Sequence, residues 1–250
     1  MRKLAVTVLC LSAVGLVSTT AQADVLIAAA ADANWTAEVA STVMATGLIE
    51  NADTFDLRYG TPTLDQLQQY TAVMAFTDYG AQNADLLGNN LADYVDGGGG
   101  VVQAVFSFHT SIPIGGRWQS DGYAPLTYGS QSSGTELFLG TVYEPGHAVL
   151  ANVESFSGGT ASYHNTVNVA GGATLIADWT NGLPLIAEQT GFGGGIVGLN
   201  FYPPSDRSRA DFWRTSTDGD LLMANALVYV PEPATLGLLG IGAIALLRRR

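Results

Sequence analysis

The sequence predicts an α/β fold, with a mostly parallel sheet between two layers of helices, for the central part of the chain. Short uncharged apolar runs alternate with segments in which apolar residues recur every three or four positions. Runs of the first kind are typical of parallel strands buried on both faces, and the second pattern is typical of amphipathic helices. The β-α-β-α-β-α-β order favours a three-layer, flavodoxin-like sandwich, because parallel strands need crossover connections.

The first half of the chain supplies this alternation. Asn34 is a candidate helix cap and Gly47 a helix stop, while proline at position 62 suits a first helical turn. Leu87, Leu91 and other apolar residues at helical spacing favour a helix that ends at Gly97. The predicted elements are a strand over 24–29, a helix from Asn34, a strand over 54–58, a short helix from Thr61-Pro62, a strand over 72–76, a helix from Ala84 and a strand over 101–108.

The second half is less regular. Residues 109–166 are rich in Gly, Ser, Tyr and Pro and predict loops with short strands. Asn181-Gly182 favours a hairpin turn between two strands, and a glycine run at 193–195 favours another. Strands over 173–179, 185–188 and 196–201 are expected to extend the sheet in mostly antiparallel fashion, before a last helix from Asp218.

The N-terminal end has the features of an export signal. Arg2 and Lys3 precede an apolar run over residues 4–17, and Ala21-Gln22-Ala23 supplies a small-x-small cleavage pattern. We therefore expect residues 1–23 to be a signal peptide, with cleavage after Ala23.

The C-terminal end has three parts: Val230-Pro231-Glu232-Pro233, an uncharged apolar segment over residues 234–247, and Arg248-Arg249-Arg250. As a helix the apolar segment would be about 21 Å long, against a bilayer core of about 30 Å. The prolines favour an extended peptide before it, and the arginines are expected to stay on the cytoplasmic side.

Residues 230–250 resemble the PEP-CTERM sorting domain of Gram-negative bacteria. The resemblance implies export, an exosortase-type processing enzyme as partner, contact with the inner membrane in transit, and a final place in the cell envelope or extracellular matrix. A C-terminal transmembrane helix that anchors the protein without processing is the alternative.

Residues 24–230 contain five arginines, no lysine and 21 acidic residues, a formal charge of −16. Nucleic acid is therefore not an expected partner, because its phosphates need basic residues. The only cysteine is Cys10, which excludes disulfides and thiol chemistry from the exported part. The three histidines lack metal-ligand spacing, so the sequence predicts no metal site and no cofactor.

A second set of motifs lies in the central part of the chain. Together these motifs resemble the class I glutamine amidotransferase-like superfamily, in particular its ThuA-like branches, and imply one such domain over residues 24–229. The motifs are DYVDGGGGVV at 93–102, PGHAVLANV at 145–153, NGLPLIAEQTGFGGGIVGLNFYPPS at 181–205 and TDGDLLMANALVYV at 217–230.

The chain departs from that superfamily at one point. Amidotransferase members carry a nucleophilic cysteine on a turn from strand to helix, whereas the run 101–108 leads here into His109-Thr110-Ser111. Without a thiol, glutaminase chemistry is excluded, and we assign no catalytic residue. For His109 itself a structural role, a ligand contact and a catalytic role remain open.

The carboxyl ends of the strands remain the expected ligand site, as in open α/β sheets generally. Arg117, in the segment after His109, is expected to cover the crevice. The candidate ligand-binding residues at this rim are Asp32, Asn34, Trp35, Asp78, Tyr79, His109 and Arg117.

Three functional hypotheses follow. In the first, the domain belongs to a non-catalytic envelope or matrix protein and binds a glycan such as an exopolysaccharide, a small ligand or an envelope protein. In the second, it is a carbohydrate-active or other hydrolase that uses the crevice without cysteine. In the third, the protein is a purely structural surface protein. The missing nucleophile favours the first and third hypotheses.

Overall fold

The structure is a computed structural model that describes residues 23–230. Residues 1–22 of the predicted signal peptide and residues 231–250 of the predicted sorting segment lie outside the described residues. No helix within residues 23–230 is long and apolar enough to cross a membrane. The elements are β1 (Ala23–Ala30), α1 (Ala33–Ala45), β2 (Ile49–Asp56), α2 (Leu64–Leu67), β3 (Ala72–Thr77), α3 (Ala84–Asp96), β4 (Gly100–Ala104), α4 (Gly116–Ser120), β5 (Gln131–Ser132), β6 (Leu139–Val142), a 3-10 helix (Ala148–Leu150), β7 (His164–Asn165), β8 (Ala173–Trp179), β9 (Pro184–Gln189), β10 (Ile196–Leu199) and α5 (Gly219–Tyr229).

One eight-stranded sheet organises these elements, in the order β2-β1-β3-β4-β10-β9-β8-β6. Strands β2, β1, β3, β4 and β10 are parallel, and β9, β8 and β6 continue the sheet antiparallel. The predicted α/β sandwich with a mostly parallel sheet and an antiparallel extension is therefore confirmed.

Helices cover both faces of the parallel strands. Alternate residues of β1 face opposite layers: Val25 and Ile27 pack with α1 and α5, whereas Leu26 and Ala28 pack with α2, α3 and α4. Helix α3 buries Leu87 and other apolar residues against the second face, as its helical spacing predicts. Burial on both faces explains why β3, β4 and residues 25–30 of β1 are uncharged runs.

The first helix starts earlier than predicted. Asp32 occupies the cap position in an extended conformation, and its side chain makes no capping hydrogen bond. Asn34, the predicted cap, is instead the second residue of α1 and is exposed. Strand β1 pairs with β3 as far as Ala30, so only two residues separate the strand from the helix and the turn must occur at once. Gly47 follows the helix with a φ of +74°, as expected for a helix stop.

Two other element starts differ from prediction. Strand β2 begins at Ile49 rather than at residue 54, because β1 offers it a parallel partner from Ala23 onward. Helix α2 begins after Thr63 rather than at Thr61-Pro62. The side chains of Thr63 and Gln66 form a reciprocal capping box at that start.

Strand β4 is interior, as predicted, but it ends at Ala104 instead of Phe108. The backbone N–H of Ser107 donates to the carbonyl of Ala104 at 3.0 Å, and that of Phe106 donates to Thr77 at 2.7 Å. These bonds close a turn that leaves the sheet while Val105 through Phe108 stay buried. The continuous apolar run over residues 101–108 therefore indicates that these residues are buried, but it does not indicate where the strand ends.

Strand β10 was expected in the antiparallel extension, but it pairs parallel to β4 and antiparallel to β9. The hairpin between β9 and β10 reverses the chain, which returns β10 to the direction of β4. The turn at Asn181-Gly182, with a φ of +83° at Gly182, joins β8 to β9 as predicted. The carboxyl end of β10 therefore lies at the same edge as that of β4.

Replacing Val105 by Asp tests how much the fold depends on this buried turn. Val105 is fully buried in the layer that contains α1 and α5, so the new carboxylate has no counter-charge to compensate its desolvation. We expect a loss of at least about 3 kcal/mol in the free energy of unfolding, measured by chemical denaturation. Thr110→Asp, at an exposed position of the same segment, is the control. A Val105→Asp variant as stable as this control would contradict the burial.

Candidate functional site

The carboxyl ends of the parallel strands converge on one edge of the sheet, because the strands run in the same direction. Asp32 follows β1, Asp78 follows β3, Phe106 follows β4 and Tyr202 follows β10. Four residues distant in the sequence are thereby brought to one edge, where open α/β sheets bind ligands.

A cavity of about 200 Å³ opens at this edge. Its wall combines aromatic rings with a carboxylate, an amide and a guanidinium group. The lining residues are Trp35, Asp78, Phe106, Gln131, Tyr163, Tyr202, Arg209 and Phe212.

The aromatic rings form one connected cluster. The ring of Tyr202 stacks on Phe106 with centroids 5.2 Å apart, and it meets Phe212 edge-to-face at 5.0 Å. Trp35 contacts Phe212 edge-to-face at 5.2 Å. Such contacts fix the relative orientation of the rings, so the apolar wall is preorganised.

Arg209 lies over this aromatic wall. Its guanidinium carbon is 4.4 Å from the centroid of Phe212 and 5.1 Å from that of Tyr163. Its Nε donates to Asp211 at 2.6 Å, and an N–H group also bonds the Tyr163 hydroxyl. The hydrogen bond to Arg209 holds the pKa of Asp211 below its usual value. The guanidinium plane is thus held in place beside the cavity.

Asp78 is the carboxyl group in the cavity wall. Burial raises its pKa above the ordinary value, and the nearby charge of Asp32 raises it further. Arg209 and the Tyr202 hydroxyl oppose this rise. An acid in such surroundings holds its proton to a higher pH than an exposed one and then donates a hydrogen bond.

The Tyr202 hydroxyl is a buried polar group at the same place. Burial raises its pKa, with further contributions from Asp78 and Asp32. It lies near enough to Asp78 to influence that carboxyl, yet within residues 23–230 it completes no hydrogen bond of good geometry. Buried polar groups normally have partners, so this hydroxyl retains hydrogen-bonding capacity in the cavity wall beside Asp78.

The outer rim carries a second arginine with exposed aromatic rings. Arg58 bonds Asp56 at 2.7 Å and pairs with Asp32 at 3.4 Å. Its guanidinium carbon also lies 5.2 Å from the ring of Tyr59 and 5.5 Å from that of Tyr79. The rim therefore extends the cavity with a charged and aromatic surface.

Glu38, on α1, holds the loop that supplies Arg209 and Phe212. Its carboxylate accepts a hydrogen bond from the backbone N–H of Ser205 at 3.0 Å and from the Ser205 hydroxyl at 2.6 Å. The two residues are 167 positions apart in the sequence. A carboxylate that accepts both bonds connects the first helix to the last cavity wall.

The structure brings four of the seven predicted ligand residues together at this edge. Asp78 and Trp35 line the cavity, while Asp32 and Tyr79 lie at its rim beside Arg58. Asn34 is exposed in the first turn of α1 and is not part of the lining.

His109 and Arg117 have other surroundings. The Nδ1 atom of His109 accepts a hydrogen bond from the backbone N–H of Ser111 at 3.0 Å, which stabilises the turn after β4. Arg117 does not cover the crevice, because it lies in α4 and its guanidinium pairs with Asp93 and Asp96 of α3. The attraction of α3 carboxylates therefore holds Arg117 against the opposite helical layer.

Several cavity residues were missed from the sequence. Tyr202 follows an apolar run that was predicted as a strand, so the rule used for Asp78 also applies to it. Phe106 was hidden inside the overextended prediction for β4. Arg209 and Phe212 lie in an irregular loop, where no periodic pattern indicates the direction of a side chain.

The other polar groups near β4 do not form a nucleophile or metal centre. The hydroxyl of Ser107 is buried and donates to the carbonyl of Ala104 at 2.6 Å. Within the part of the chain that the structure describes, no group of three or more His, Cys, Asp or Glu residues has metal-ligating geometry.

Comparison with known proteins supports both resemblances, that of the C-terminal segment and that of the α/β domain. Residues 230–250 match the family model described as the PEP-CTERM protein-sorting motif. Among curated proteins, none matches the sequence. The chain therefore carries a PEP-CTERM sorting motif at its C-terminal end.

Solved structures share the fold of the α/β domain. A cytoplasmic protein from Salmonella typhimurium LT2 has a TM-score of 0.63 at 13% identity, covering 84% of this chain and 100% of that one. A putative ThuA-like protein from Bacteroides uniformis has a TM-score of 0.57 at 15% identity, covering 81% and 89%. A glutamine amidotransferase from Thermotoga maritima has a TM-score of 0.50 at 11% identity, covering 74% and 78%. The domain thus has the fold of ThuA-like and glutamine amidotransferase-like proteins.

Glu38→Ala tests the connection between α1 and the cavity loop. Without its carboxylate acceptor, the backbone N–H of Ser205 loses its partner, and we expect the free energy of unfolding to fall by about 2 kcal/mol. Hydrogen exchange at Ser205 should accelerate more than exchange in β1 or β3, because the loop opens locally.

Glu50→Ala, at an exposed position of β2, is the matched control and should change neither quantity by more than a few tenths of a kcal/mol. Unchanged exchange at Ser205 in the Glu38→Ala protein would show that the carboxylate does not hold the loop.

Proposed function

We propose that this protein is an exported envelope or matrix protein whose α/β domain binds one ring of a neutral glycan in the cavity at the carboxyl edge of the sheet. The observation that carries the proposal is the combination of preorganised aromatic rings with Asp78 and Arg209 around one opening. Binding rather than catalysis is the proposed activity.

The C-terminal motif supports export and sorting. In this proposal residues 230–250 are handled by an exosortase-type enzyme, and the apolar segment contacts the inner membrane while the protein is in transit. A Gram-negative envelope then supplies the partners: exopolysaccharide, or other envelope proteins that carry glycans.

The chemistry of the cavity favours a sugar ring. Aromatic faces bury the C–H face of a pyranose, while Asp78, Gln131 and the Tyr202 hydroxyl offer hydrogen-bond partners to its hydroxyl groups. Sites for drug-sized ligands occupy about 300–1,000 Å³, so about 200 Å³ suits one ring rather than several. The charge of −16 on residues 24–230 favours a neutral glycan over an acidic one.

Hydrolysis at the same place is the second candidate. Asp78, whose pKa is raised by burial and by Asp32, has the character of a general acid inside an aromatic cavity. The hydroxyl of Ser107, in contrast, bonds the backbone and is not available as a nucleophile.

Titration with an array of neutral and acidic oligosaccharides tests the ligand proposal. We expect a neutral oligosaccharide to change the fluorescence of Trp35, and Trp35→Ala to weaken its affinity at least tenfold in calorimetry, because stacking is lost. Tyr202→Phe should weaken binding without changing the fold, since only the hydroxyl is removed.

Tyr143→Phe, at an exposed tyrosine that directly follows β6, is the matched control. Release of shortened sugars that Asp78→Asn abolishes would favour hydrolysis instead. If no oligosaccharide binds the folded protein, the ligand proposal fails and a purely structural surface role is favoured.

Mass measurement of the mature envelope protein tests the sorting proposal separately. The wild-type chain should lose its C-terminal segment, whereas Glu232→Ala should retain it, because the altered residue lies in the Pro-Glu-Pro motif. Two intact masses that both extend through Arg250 would identify the segment as a plain anchor.

A further inference from the structure

A second and larger opening lies at the amino edge of the sheet, opposite the aromatic cavity. This groove has a volume of about 750 Å³. Much of its wall is apolar or glycine backbone, with Leu48, Phe192, Ile196, Val228 and Val230 among its lining residues. It is built by the end of α5, the 3-10 helix, the loop between β9 and β10, and the turn before β2.

Two polar side chains that line the groove, Glu188 and Asn225, are bonded within the protein. The carboxylate of Glu188 accepts a hydrogen bond from the Tyr229 hydroxyl at 2.8 Å and lies 3.2 Å from Nε2 of His147. The amide of Asn225 donates to the carbonyls of Val149 and Ala151. These groups are engaged already, so the surface that the groove offers to an occupant is mainly hydrophobic.

Several large hydrophobic side chains are exposed here. Leu48 is 38% exposed, Val228 45% and Tyr229 36%. Apolar side chains clustered on one concave surface favour contact with another apolar group, whereas scattered ones need no explanation.

The chain itself enters this groove at Val230. The carbonyl of Val230 accepts a hydrogen bond from the backbone N–H of Gly195 at 3.0 Å, and a Cβ on Gly195 would lie 2.7 Å from that oxygen. This close backbone contact fixes the position from which residue 231 departs. The last described residue, Val230, is therefore part of the groove wall.

We propose that the apolar segment at residues 234–247 docks in this groove before the chain is processed, with Leu236, Leu238 and Leu239 as its first contacts. The segment carries no charge, and Leu236 lies six positions after Val230 in the sequence. An extended chain spans at most about 3.3–3.6 Å per residue, so about 20 Å of reach covers the groove.

Because the segment is covalently attached to the domain, it competes well with free molecules for the groove. A short tether gives its end a local concentration on the order of millimolar, which exceeds that of any free partner. Proline is unfavourable inside a helix, so Pro231 and Pro233 favour an end of α5 and a turn of the chain back toward the wall. A groove of about 750 Å³ accommodates a few aliphatic side chains, not all 14 residues of the segment.

Docking has a functional consequence. The hydrophobic segment is covered while the protein is in water, and a membrane or processing enzyme must withdraw it from the groove before the motif is cleaved. The groove and the sorting motif thus compete for the same residues.

Disulfide formation in the full chain tests this proposal. Cys10 is the only natural cysteine and is replaced by Ser, so introduced pairs report without background. We expect Leu48→Cys with Leu238→Cys to form an intramolecular disulfide under mild oxidation at least tenfold faster than Thr71→Cys with Leu238→Cys. Thr71 is exposed at the same edge of the sheet and directly precedes β3.

A second variant places a charge in the groove to weaken the docking of an apolar segment. Val228→Glu should slow the disulfide between positions 48 and 238, whereas Leu86→Glu, an exposed change on α3, should leave it unchanged. Equal rates for the two cysteine pairs would overturn the proposal.

Two other outcomes would also overturn it. A disulfide between molecules instead of within one identifies a second copy as the occupant. In a separate variant that keeps Cys10 and carries only Leu48→Cys, a faster disulfide between positions 10 and 48 identifies the N-terminal segment. The measurement uses purified protein, so its failure is separate from a failure of sorting in cells.

Discussion

The parallel pairing of β1, β3, β4 and β10 is the constraint on which the rest of the structure depends. It brings the carboxyl ends of four strands to one edge, and the buried faces of those strands require helices on both sides. Asp78 and Tyr202 meet because both follow such strands. Moving one strand in register would change which residues leave the sheet at the cavity.

The chemistry of the site comes from loops that this sheet holds in place. Strand ends supply Asp78 and Phe106, but Arg209 and Phe212 come from a loop after β10 that has no regular structure of its own. Its position depends on the Glu38 carboxylate, which binds Ser205 from the first helix. A regular sheet that holds an irregular loop in place allows this fold to form the aromatic cavity.

The two edges of the sheet carry different structural features. Helix α5 ends at the amino edge, where the chain continues into the sorting motif, while the aromatic cavity opens at the carboxyl edge. Events at the C-terminal segment therefore take place away from the proposed ligand. This arrangement allows a sorting signal to be added to an α/β domain without altering its cavity.

Local sequence determined much of the fold. Uncharged runs identified the buried strands, helical spacing identified α1, α3 and α5, and the motif at residues 230–250 identified the sorting signal, because these signals depend on neighbouring residues. Hydrogen bonds between distant residues decided the rest: the end of β4 at Ala104, the parallel pairing of β10 and the attachment of Arg117 to α3. The cavity needed the tertiary structure most, since its walls join Trp35 to Phe212 through contacts that no local pattern records.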